Sequence, residues 1–227
     1  MDARTAGPVG SPKLLFYFNG FNSAIPSDWS DNAKIVGVED LARRQGFRFL
    51  PSTVDYRFAR ERSAEIVERV AKELPGDGGR VVFSGSSMGG WFARIMQVLL
   101  ARSRPGLAVE ALAFNPAFDL SLHGHMLLGR QENFVTGEEY VWDVADTDRL
   151  AQLEWLVDYD APLPFFVYVD KGDEVIDWRA SAARHAGIAR FHAFEGGSHT
   201  FEHVREALRD FAAARRSSSM LEANPTS

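Results

Sequence analysis

The sequence predicts an α/β fold: a mostly parallel, doubly wound sheet with helices on both faces and a helical, lid-like insertion. Short β-rich runs alternate with segments of helical periodicity along most of the 227 residues. The candidate strands are apolar almost continuously, which is typical of a parallel sheet that is covered on both faces. One long segment, residues 117–161, interrupts the alternation.

The N-terminal part of the chain alternates two strands with two helices. Residues 13–18, KLLFYF, form an apolar run of strand length, and residues 33–46 have helical spacing and end on a glycine. Residues 47–50, FRFL, are a second short strand. Residues 58–74 have the spacing of an amphipathic helix, which Pro75 and Gly76 close.

The central part supplies three further strands. Residues 80–85, RVVFSG, and residues 108–115, AVEALAFN, lie on either side of an apolar helix at 89–103. Residues 163–170, LPFFVYVD, are nearly all apolar, which indicates a strand that is buried on both faces.

The C-terminal part predicts a helix at 177–187, a strand and turn at 189–197, and a last helix at 200–216. Residues 217–227 are polar and lack periodicity, which predicts a disordered tail. The length and the 45% apolar composition suffice for one core. We therefore predict a single domain, residues 1–216, followed by the tail.

The insertion at 117–161 falls between two predicted strands and is rich in large apolar side chains. Loops of this length are commonly functional. We predict that it forms a lid or cap over a site, and the alternative is an ordinary helical excursion that fills out the core. The side chains in question are Phe118, Met126, Leu127, Phe134, Tyr140, Trp142, Trp155 and Tyr159.

Composition excludes several functional classes. The net charge is −6 and no long block of one sign occurs, so the sequence offers no basic surface for binding nucleic acid or anionic lipid. The absence of cysteine excludes disulfides, cysteine nucleophiles and thiolate metal sites. No segment approaches the ~20 apolar residues of a membrane helix, and no signal peptide is expected. We expect a cytoplasmic protein with a small-molecule substrate and no nucleic-acid or membrane partner; the sequence makes no prediction of oligomeric state.

The stretch VFSGSSMGGWF, residues 82–92, contains the candidate nucleophile. Ser87 has glycine two residues before and two after it and so fits G-x-S-x-G, whereas Ser84 and Ser86 do not. The match lies where a predicted strand meets a predicted helix, which is where ligands collect in a doubly wound sheet. Glycines suit the pattern because the flanking backbone segments approach each other closely around a strained serine. The alternative is a plain glycine turn.

A serine nucleophile needs a base, and the base needs an orienting carboxylate. The segment VYVDKGDEVIDW favours Asp173 as this acid, because it lies beyond the strand and after a glycine. Asp170 can still belong to the strand, and Asp177 has the position of an N-cap for the next helix.

The segment FEGGSHTFEHV favours His199 as the base, because it follows the last strand through two glycines and precedes the last helix. His185 and His203 are predicted on helices, where a surface histidine is the ordinary case. The remaining downstream histidines lie in a strand or in the insertion: His192, His123 and His125.

Residues 199–203, HTFEH, also match H-x-x-E-H, a zinc-peptidase signature in which two histidines share a metal ion. That site needs both histidines on one helix and a distant third ligand, whereas His199 follows EGGS and is expected before the helix. It also leaves the placement of Gly85 and Gly89 unexplained. We keep the zinc peptidase as an alternative and predict no metal or cofactor.

The oxygen of an acyl substrate needs backbone donors. We predict an oxyanion hole from the N–H groups of Met88, next to the nucleophile, and Phe21, in the loop YFNGFNSA after the first strand. Gly20 allows that loop to approach closely. The alternative is that Asn19 and Gly20 form a plain turn.

Five segments, in this order, resemble the YqiA/YcfP-type small esterases of the α/β-hydrolase superfamily: GSSMGGWFA, AFNPA, LLGRQENFVTGEEYVW, KGDEVIDWRAS and FEGGSHTF. The resemblance extends from the first strand to the last helix. G-x-S-x-G is general to the superfamily, whereas NPA, EN-x-x-TGEEYV and GDEV-I-D are more specific to this group. Asn19 stands where many members of the superfamily have a histidine before glycine.

The resemblance implies an α/β-hydrolase fold and hydrolysis of esters or thioesters. Matched by motif, Ser87 is the nucleophile, Asp173 the acid and His199 the base. The sequence thus predicts a serine esterase or thioesterase that works through an acyl-enzyme. An alternative of another class is a non-catalytic hydrolase-fold module that binds a ligand or partner under the insertion.

Overall fold

The computed structural model describes residues 11–223, and its side chains through residue 216. Its strands, in chain order, are β1 Lys13–Phe18, β2 Arg48–Ser52, β3 Arg80–Ser86, β4 Ala108–Phe114, β5 Gly129–Glu132, β6 Glu139–Trp142, β7 Phe165–Asp170 and β8 Arg190–Phe194. Six of them form a parallel sheet in the order β2-β1-β3-β4-β7-β8. The other two, β5 and β6, form a separate antiparallel hairpin.

The helices of the described residues are α1 Ala33–Gln45, α2 Ala59–Glu73, α3 Met88–Ser103, α4 Leu120–His123, α5 Val144–Trp155, α6 Trp178–His185 and α7 Val204–Ala223. Outside the insertion, each predicted strand and helix is present, and most ends agree within two residues. Between residues 11 and 223, no helix has both the length and the apolar character that crossing a membrane would require.

The last helix differs most from its prediction. It begins at Val204 rather than residue 200, because Phe201 has a φ of 60°, which an α-helix cannot include. It continues to Ala223 and so covers part of the segment for which the sequence predicts a disordered tail. Residues 224–227 lie outside the described residues, as do residues 1–10, and the tail there stays a prediction.

Strand β1 shows how the sheet separates two apolar layers. Leu14, Phe16 and Phe18 pack in the core that includes α2, α3 and α5. Leu15 and Tyr17, which point to the other face, pack with α1 and α7. The continuous apolar run of this strand is therefore buried on both sides.

The order of the strands reverses between β1 and β3. The chain passes from β1 outward to β2 and then returns to the other side of β1. Loops that follow the two central strands leave in opposite directions and open a crevice at the carboxyl edge of the sheet. Gly20 follows β1 and Ser87 follows β3, so both lie at this crevice.

The 117–161 insertion contains α4, α5 and the β5–β6 hairpin. The sequence analysis predicted none of these three elements individually. Trp142, Leu150 and Tyr159 are buried in the main core, as the core-filling alternative requires. The buried Arg94 of α3 holds the end of the insertion, because its guanidinium donates to the carbonyl of Tyr159 at 2.6 and 3.0 Å and to that of Ala161 at 2.6 Å. Movement of the insertion as a lid stays a prediction.

Candidate active site

Ser87 forms the sharp turn between β3 and α3. Its φ of 56° and ψ of −125° lie outside the favoured regions for a residue with a side chain. The turn is held from β4 and the segment after it: the Ser87 N–H donates to the carbonyl of Phe114, and its carbonyl accepts from Ala117 N–H, both at 3.0 Å. Ser84 and Ser86, which do not fit the motif, are buried residues of β3.

Close packing explains the glycines around Ser87. A Cβ atom on Gly85 would lie 2.3 Å from the carbonyl carbon of Gly89, and one on Gly89 would lie 2.4 Å from the carbonyl oxygen of Phe18. Neither glycine has a positive φ, so space rather than backbone freedom excludes a side chain. The close backbone approach that was expected around the two glycines of G-x-S-x-G is confirmed.

His199 and Asp173 are hydrogen bonded. The Nδ1–H group of His199 donates to both carboxylate oxygens of Asp173, each at 3.0 Å. Oδ1 of Asp173 also accepts from the N–H groups of Val175 at 2.8 Å and Ile176 at 2.9 Å, which fixes the carboxylate. With Nδ1 protonated in the neutral ring, Nε2 is the nitrogen that can accept a proton.

A further carboxylate lies beside this pair. The backbone N–H of His199 donates to Glu174 at 2.9 Å, and this hydrogen bond holds the pKa of the Glu174 carboxyl below its ordinary value. Asp173 and Glu174 thus both contact His199, one through the ring and the other through the backbone.

One cavity of about 610 Å³ brings the predicted residues together: Ser87, His199, Phe21 and Met88 all line it. Its other walls are largely apolar, and no lysine or arginine is among the described residues that line it. The apolar wall includes Phe118, Leu120, Leu127, Phe134 and Ile176. A larger groove of about 930 Å³ lies between α1 and α7, but none of the predicted site residues lines it. We therefore take the smaller cavity as the candidate active site because it contains the residues that could perform chemistry.

One predicted oxyanion donor, Met88, begins the helix that follows Ser87, and the other, Phe21, lies on a loop that approaches Ser87. Met88 is the first residue of α3, so its N–H has no acceptor within the helix. In the described part of the chain, the N–H of Phe21 makes no hydrogen bond. A Cβ atom on Gly20 would lie 3.5 Å from Cβ of Ser87, which shows how closely the first loop approaches the serine.

Asn19 holds that first loop from inside. Its amide Nδ2 donates to the carbonyl of Ser23 at 2.7 Å, and its Oδ1 accepts from the N–H of Val54 at 2.7 Å. The hydroxyl of Tyr56 donates to the Asn19 carbonyl at 2.5 Å. The side chain of Asn19 therefore braces the loop, which goes beyond a plain turn.

Asn115, which the sequence analysis did not assign a role, connects the two halves of the site. Its Nδ2 donates to the carbonyl of Ser198 at 2.9 Å, and its Oδ1 accepts from Asp170 N–H at 2.8 Å. Its φ is 41°. The NPA motif could have indicated this role, because it follows the strand next to the Ser87 turn. Its asparagine reaches the loop that carries His199.

The prediction that His203 lies on a helix is wrong. It precedes α7, and its Nδ1 donates to Oδ1 of Asp170 at 2.7 Å. His185 is on α6, as predicted, but it is fully buried rather than on the surface. Asp170 is the last residue of β7, and Asp177 is the N-cap of α6, where it accepts from Arg179 N–H at 2.9 Å.

The HTFEH segment lacks the geometry of a shared metal site. His199 and His203 both precede α7 and donate their Nδ1 protons to different aspartates. Among the residues that the structure describes, no group of three or more histidine, cysteine, aspartate or glutamate side chains is placed to hold a metal ion. The geometry therefore gives the zinc-peptidase alternative no support.

The model of an uncharacterised protein family, UPF0227, matches residues 14–214, which is most of the chain. The chain belongs to this family. The match confirms the resemblance to the YqiA/YcfP-type esterases. A comparison with curated proteins gives no significant match.

Solved structures that resemble this UPF0227 member include α/β hydrolases. Est1E from Butyrivibrio proteoclasticus has a TM-score of 0.63 and 18% identity over 93% of this chain and 90% of its own. Est1E with bound ferulic acid has a TM-score of 0.64 and 17% identity, covering 93% and 92%. Alpha/beta hydrolase domain-containing protein 10 from mouse has a TM-score of 0.58 and 16% identity, covering 92% and 91%. These similarities confirm the α/β-hydrolase fold.

Proposed function

We propose that this UPF0227 protein is a serine hydrolase that cleaves carboxylic esters or thioesters through an acyl-enzyme. One observation carries the proposal. His199, with its Nδ1 bonded to Asp173, lines the same cavity as Ser87, which a strained turn holds at the crevice of the sheet. A nucleophile, a base and an orienting carboxylate are the groups that acyl transfer to serine requires.

In the proposed reaction, Oγ of Ser87 attacks the acyl carbon while Nε2 of His199 takes the hydroxyl proton. Asp173 stabilises the imidazolium that forms. The oxygen of the tetrahedral intermediate accepts hydrogen bonds from the N–H groups of Phe21 and Met88. The C–O or C–S bond then breaks, and the leaving alcohol or thiol takes the proton from His199. Water, activated by the same histidine, releases the acid from the serine.

The walls of the cavity favour an uncharged, apolar acyl group. Phe118, Leu127 and Phe134 offer apolar contact, and the described lining contains no lysine or arginine to pair with a carboxylate or a phosphate on the substrate. An anionic acyl group would lose hydration in this cavity without gaining a counter-ion. Est1E, which shares the fold, binds ferulic acid, and an aryl acyl group is one member of the class that we propose here.

The test is the intact mass of the protein after treatment with a fluorophosphonate, for wild type, Ser87→Ala and the control Ser86→Ala. We expect one adduct on wild type and the control and none on Ser87→Ala. Hydrolysis of p-nitrophenyl butyrate should fall at least 10³-fold in Ser87→Ala alone. Wild-type turnover in Ser87→Ala would contradict the proposal, and binding of esters without an adduct or turnover would favour the non-catalytic module.

A further inference from the structure

The segment ENFVTGEEYV, residues 132–141, contains one of the more specific runs of the resemblance, and none of its side chains belongs to the proposed triad. Part of it shapes the turn between β5 and β6. The Asn133 N–H donates to the carbonyl of Glu138 at 2.9 Å, and its carbonyl accepts from Gly137 N–H at 2.8 Å. Its Oδ1 accepts from Val135 N–H at 3.0 Å. Gly137 has a φ of 71°, which suits glycine. Residues within the hairpin therefore specify its turn.

The hairpin binds Asn22, the residue after the proposed oxyanion donor Phe21. The N–H of Phe134 donates to the Asn22 carbonyl at 2.8 Å. The Tyr140 hydroxyl donates to Oδ1 of Asn22, and Nδ2 of Asn22 donates to Oε1 of Gln131 at 2.6 Å. Asn22 has a φ of 51°, and these three bonds hold it in that left-handed conformation.

The residues on either side of Asn22 also contact the hairpin. The Phe21 ring meets the buried Trp142 ring edge-on, with centroids 5.2 Å apart. Nδ2 of Asn133 donates to the carbonyl of Ser23 at 3.2 Å. Three consecutive residues, 21–23, are therefore tied to the hairpin, while Asn19 ties the start of the loop to the body of the protein.

Arg57 fixes Tyr140 from the other side. Its guanidinium carbon lies 4.2 Å from the centroid of the Tyr140 ring, and its Nη2 donates to Glu138 at 2.9 Å. Burial raises the pKa of Tyr140 to about 12, so its hydroxyl stays protonated and remains a donor to Asn22. The hydrogen bond from Tyr140 is therefore available across the physiological pH range.

We propose that the β5–β6 hairpin positions the oxyanion hole: Tyr140 and Gln131, acting through Asn22, hold the Phe21 N–H where the oxygen of the transition state develops charge. The inference rests on the proposed serine-hydrolase function. It makes Tyr140, Gln131 and Asn22 positioning residues. Because the Phe21 donor acts mainly in the transition state, its displacement lowers kcat and leaves KM nearly unchanged.

Tyr140→Phe is the first variant, with Tyr168→Phe as its matched control. Tyr168 also donates a hydroxyl hydrogen bond, to Asp210 at 2.7 Å, but its side chain does not line the cavity. With p-nitrophenyl butyrate, we expect Tyr140→Phe to lower kcat roughly 10- to 100-fold with KM within about twofold, since misplacement by ~1 Å can cost ~10²-fold. Affinity for a trifluoromethyl ketone, whose adduct oxygen occupies the oxyanion hole, should fall in parallel. The control should keep both values.

Fluorophosphonate labelling of wild type separates two kinds of failure. If wild type neither labels nor turns over, the serine-hydrolase proposal is overturned, and this inference with it. If wild type does both and Tyr140→Phe matches Tyr168→Phe, only the positioning role is overturned. Should Tyr140→Phe not fold, Asn22→Gly replaces it, because glycine accepts a φ of 51° and lacks both side-chain bonds. Wild-type kcat in Asn22→Gly would also overturn the role.

Discussion

Nδ1 of His203 lies 2.7 Å from Oδ1 of Asp170, so a second histidine–aspartate pair sits beside the proposed catalytic one. The two pairs join the same two loops, and Asp173 N–H donates to the Asp170 carbonyl at 3.1 Å. Asp170 is fully buried and also accepts from Glu202 N–H at 2.7 Å. Of the two histidines, only His199 lines the cavity with Ser87. We infer that the second pair braces the loop that carries the base.

Replacing each histidine by glutamine should affect a different property of the protein. His199→Gln removes the proposed base and should lower kcat for p-nitrophenyl butyrate by at least ~10³-fold. His203→Gln removes a bond to a buried carboxylate and should lower the free energy of unfolding by about 1–3 kcal/mol, with kcat within tenfold of wild type. Steady-state kinetics and urea unfolding of both variants check this. If His203→Gln lowers kcat more than His199→Gln does, His199 is not the base.

Phe134 should contribute to substrate binding, because it lines the cavity while its side chain is 80% exposed. A bound aryl or alkyl group would cover part of this ring, and the loss of that burial costs about 1 kcal/mol. We expect Phe134→Ala to raise KM roughly fivefold for an uncharged aryl ester. Trp155→Ala is the control, since Trp155 is 71% exposed in the same insertion but does not line the cavity. Equal KM values in the two variants would contradict the proposed acyl site.

Charge in the acyl group should reduce turnover. A hemisuccinate ester should have a kcat/KM at least tenfold below that of the uncharged butyrate ester, because the described lining contains no lysine or arginine. Val175→Arg introduces a cation at the cavity wall and should restore part of the loss for the anionic ester only. Val36→Arg, at the groove between α1 and α7, is the control. Equal kcat/KM values for the two esters in wild type would contradict the predicted preference for uncharged acyl groups.

Gly89 should not tolerate a side chain. In Gly89→Ala the new Cβ would lie 2.4 Å from the Phe18 carbonyl oxygen and 2.5 Å from that of Asn19, so backbone must move, at a cost of roughly 3 kcal/mol or more. A Cβ on Gly76 meets nothing within 4 Å, and Gly76→Ala should change stability by less than about 1 kcal/mol. Urea unfolding of both variants measures the difference, and near-wild-type stability of Gly89→Ala would be inconsistent with the packed turn.

His185 should make the fold less stable in acid. Burial lowers the pKa of His185 from 6.5 to about 4. Between these values the unfolded chain binds a proton that the folded chain does not, so stability falls as the pH is lowered. At about 1.4 kcal/mol per pKa unit, the loss between pH 7 and pH 5 is about 2 kcal/mol.

His185→Phe should remove that pH dependence, since it keeps an aromatic ring among Phe118, Tyr159 and Phe165 without a titrating group. The free energy of unfolding at pH 7 and pH 5 measures it, with His125→Gln, at an exposed histidine, as the control. The prediction fails if His185→Phe and His125→Gln lose the same stability between the two pH values.

The motifs that were readable from the sequence are local ones. G-x-S-x-G placed Ser87 at a strand-to-helix turn, since a few neighbouring residues specify both the turn and its close contacts. Asp173 and His199 could be selected because each follows a strand of a parallel sheet, and such loops share one edge. His203 was misplaced because the φ of 60° at Phe201, which delays α7, leaves no mark in the helical periodicity.

By itself, then, the sequence determined the α/β class and, outside the insertion, the order of its elements, because these depend on periodicity and short-range steric rules. The family and the candidate triad followed from short motifs and from the resemblance that those motifs carry. Only the tertiary structure decided which loops meet. Asn115 bonds Ser198 across 83 residues of sequence, and Tyr140 bonds Asn22 across 118. Such contacts follow from strand order and from the seating of the insertion hairpin, and no local pattern encodes either, because each partner is specified by packing against residues far away in the chain.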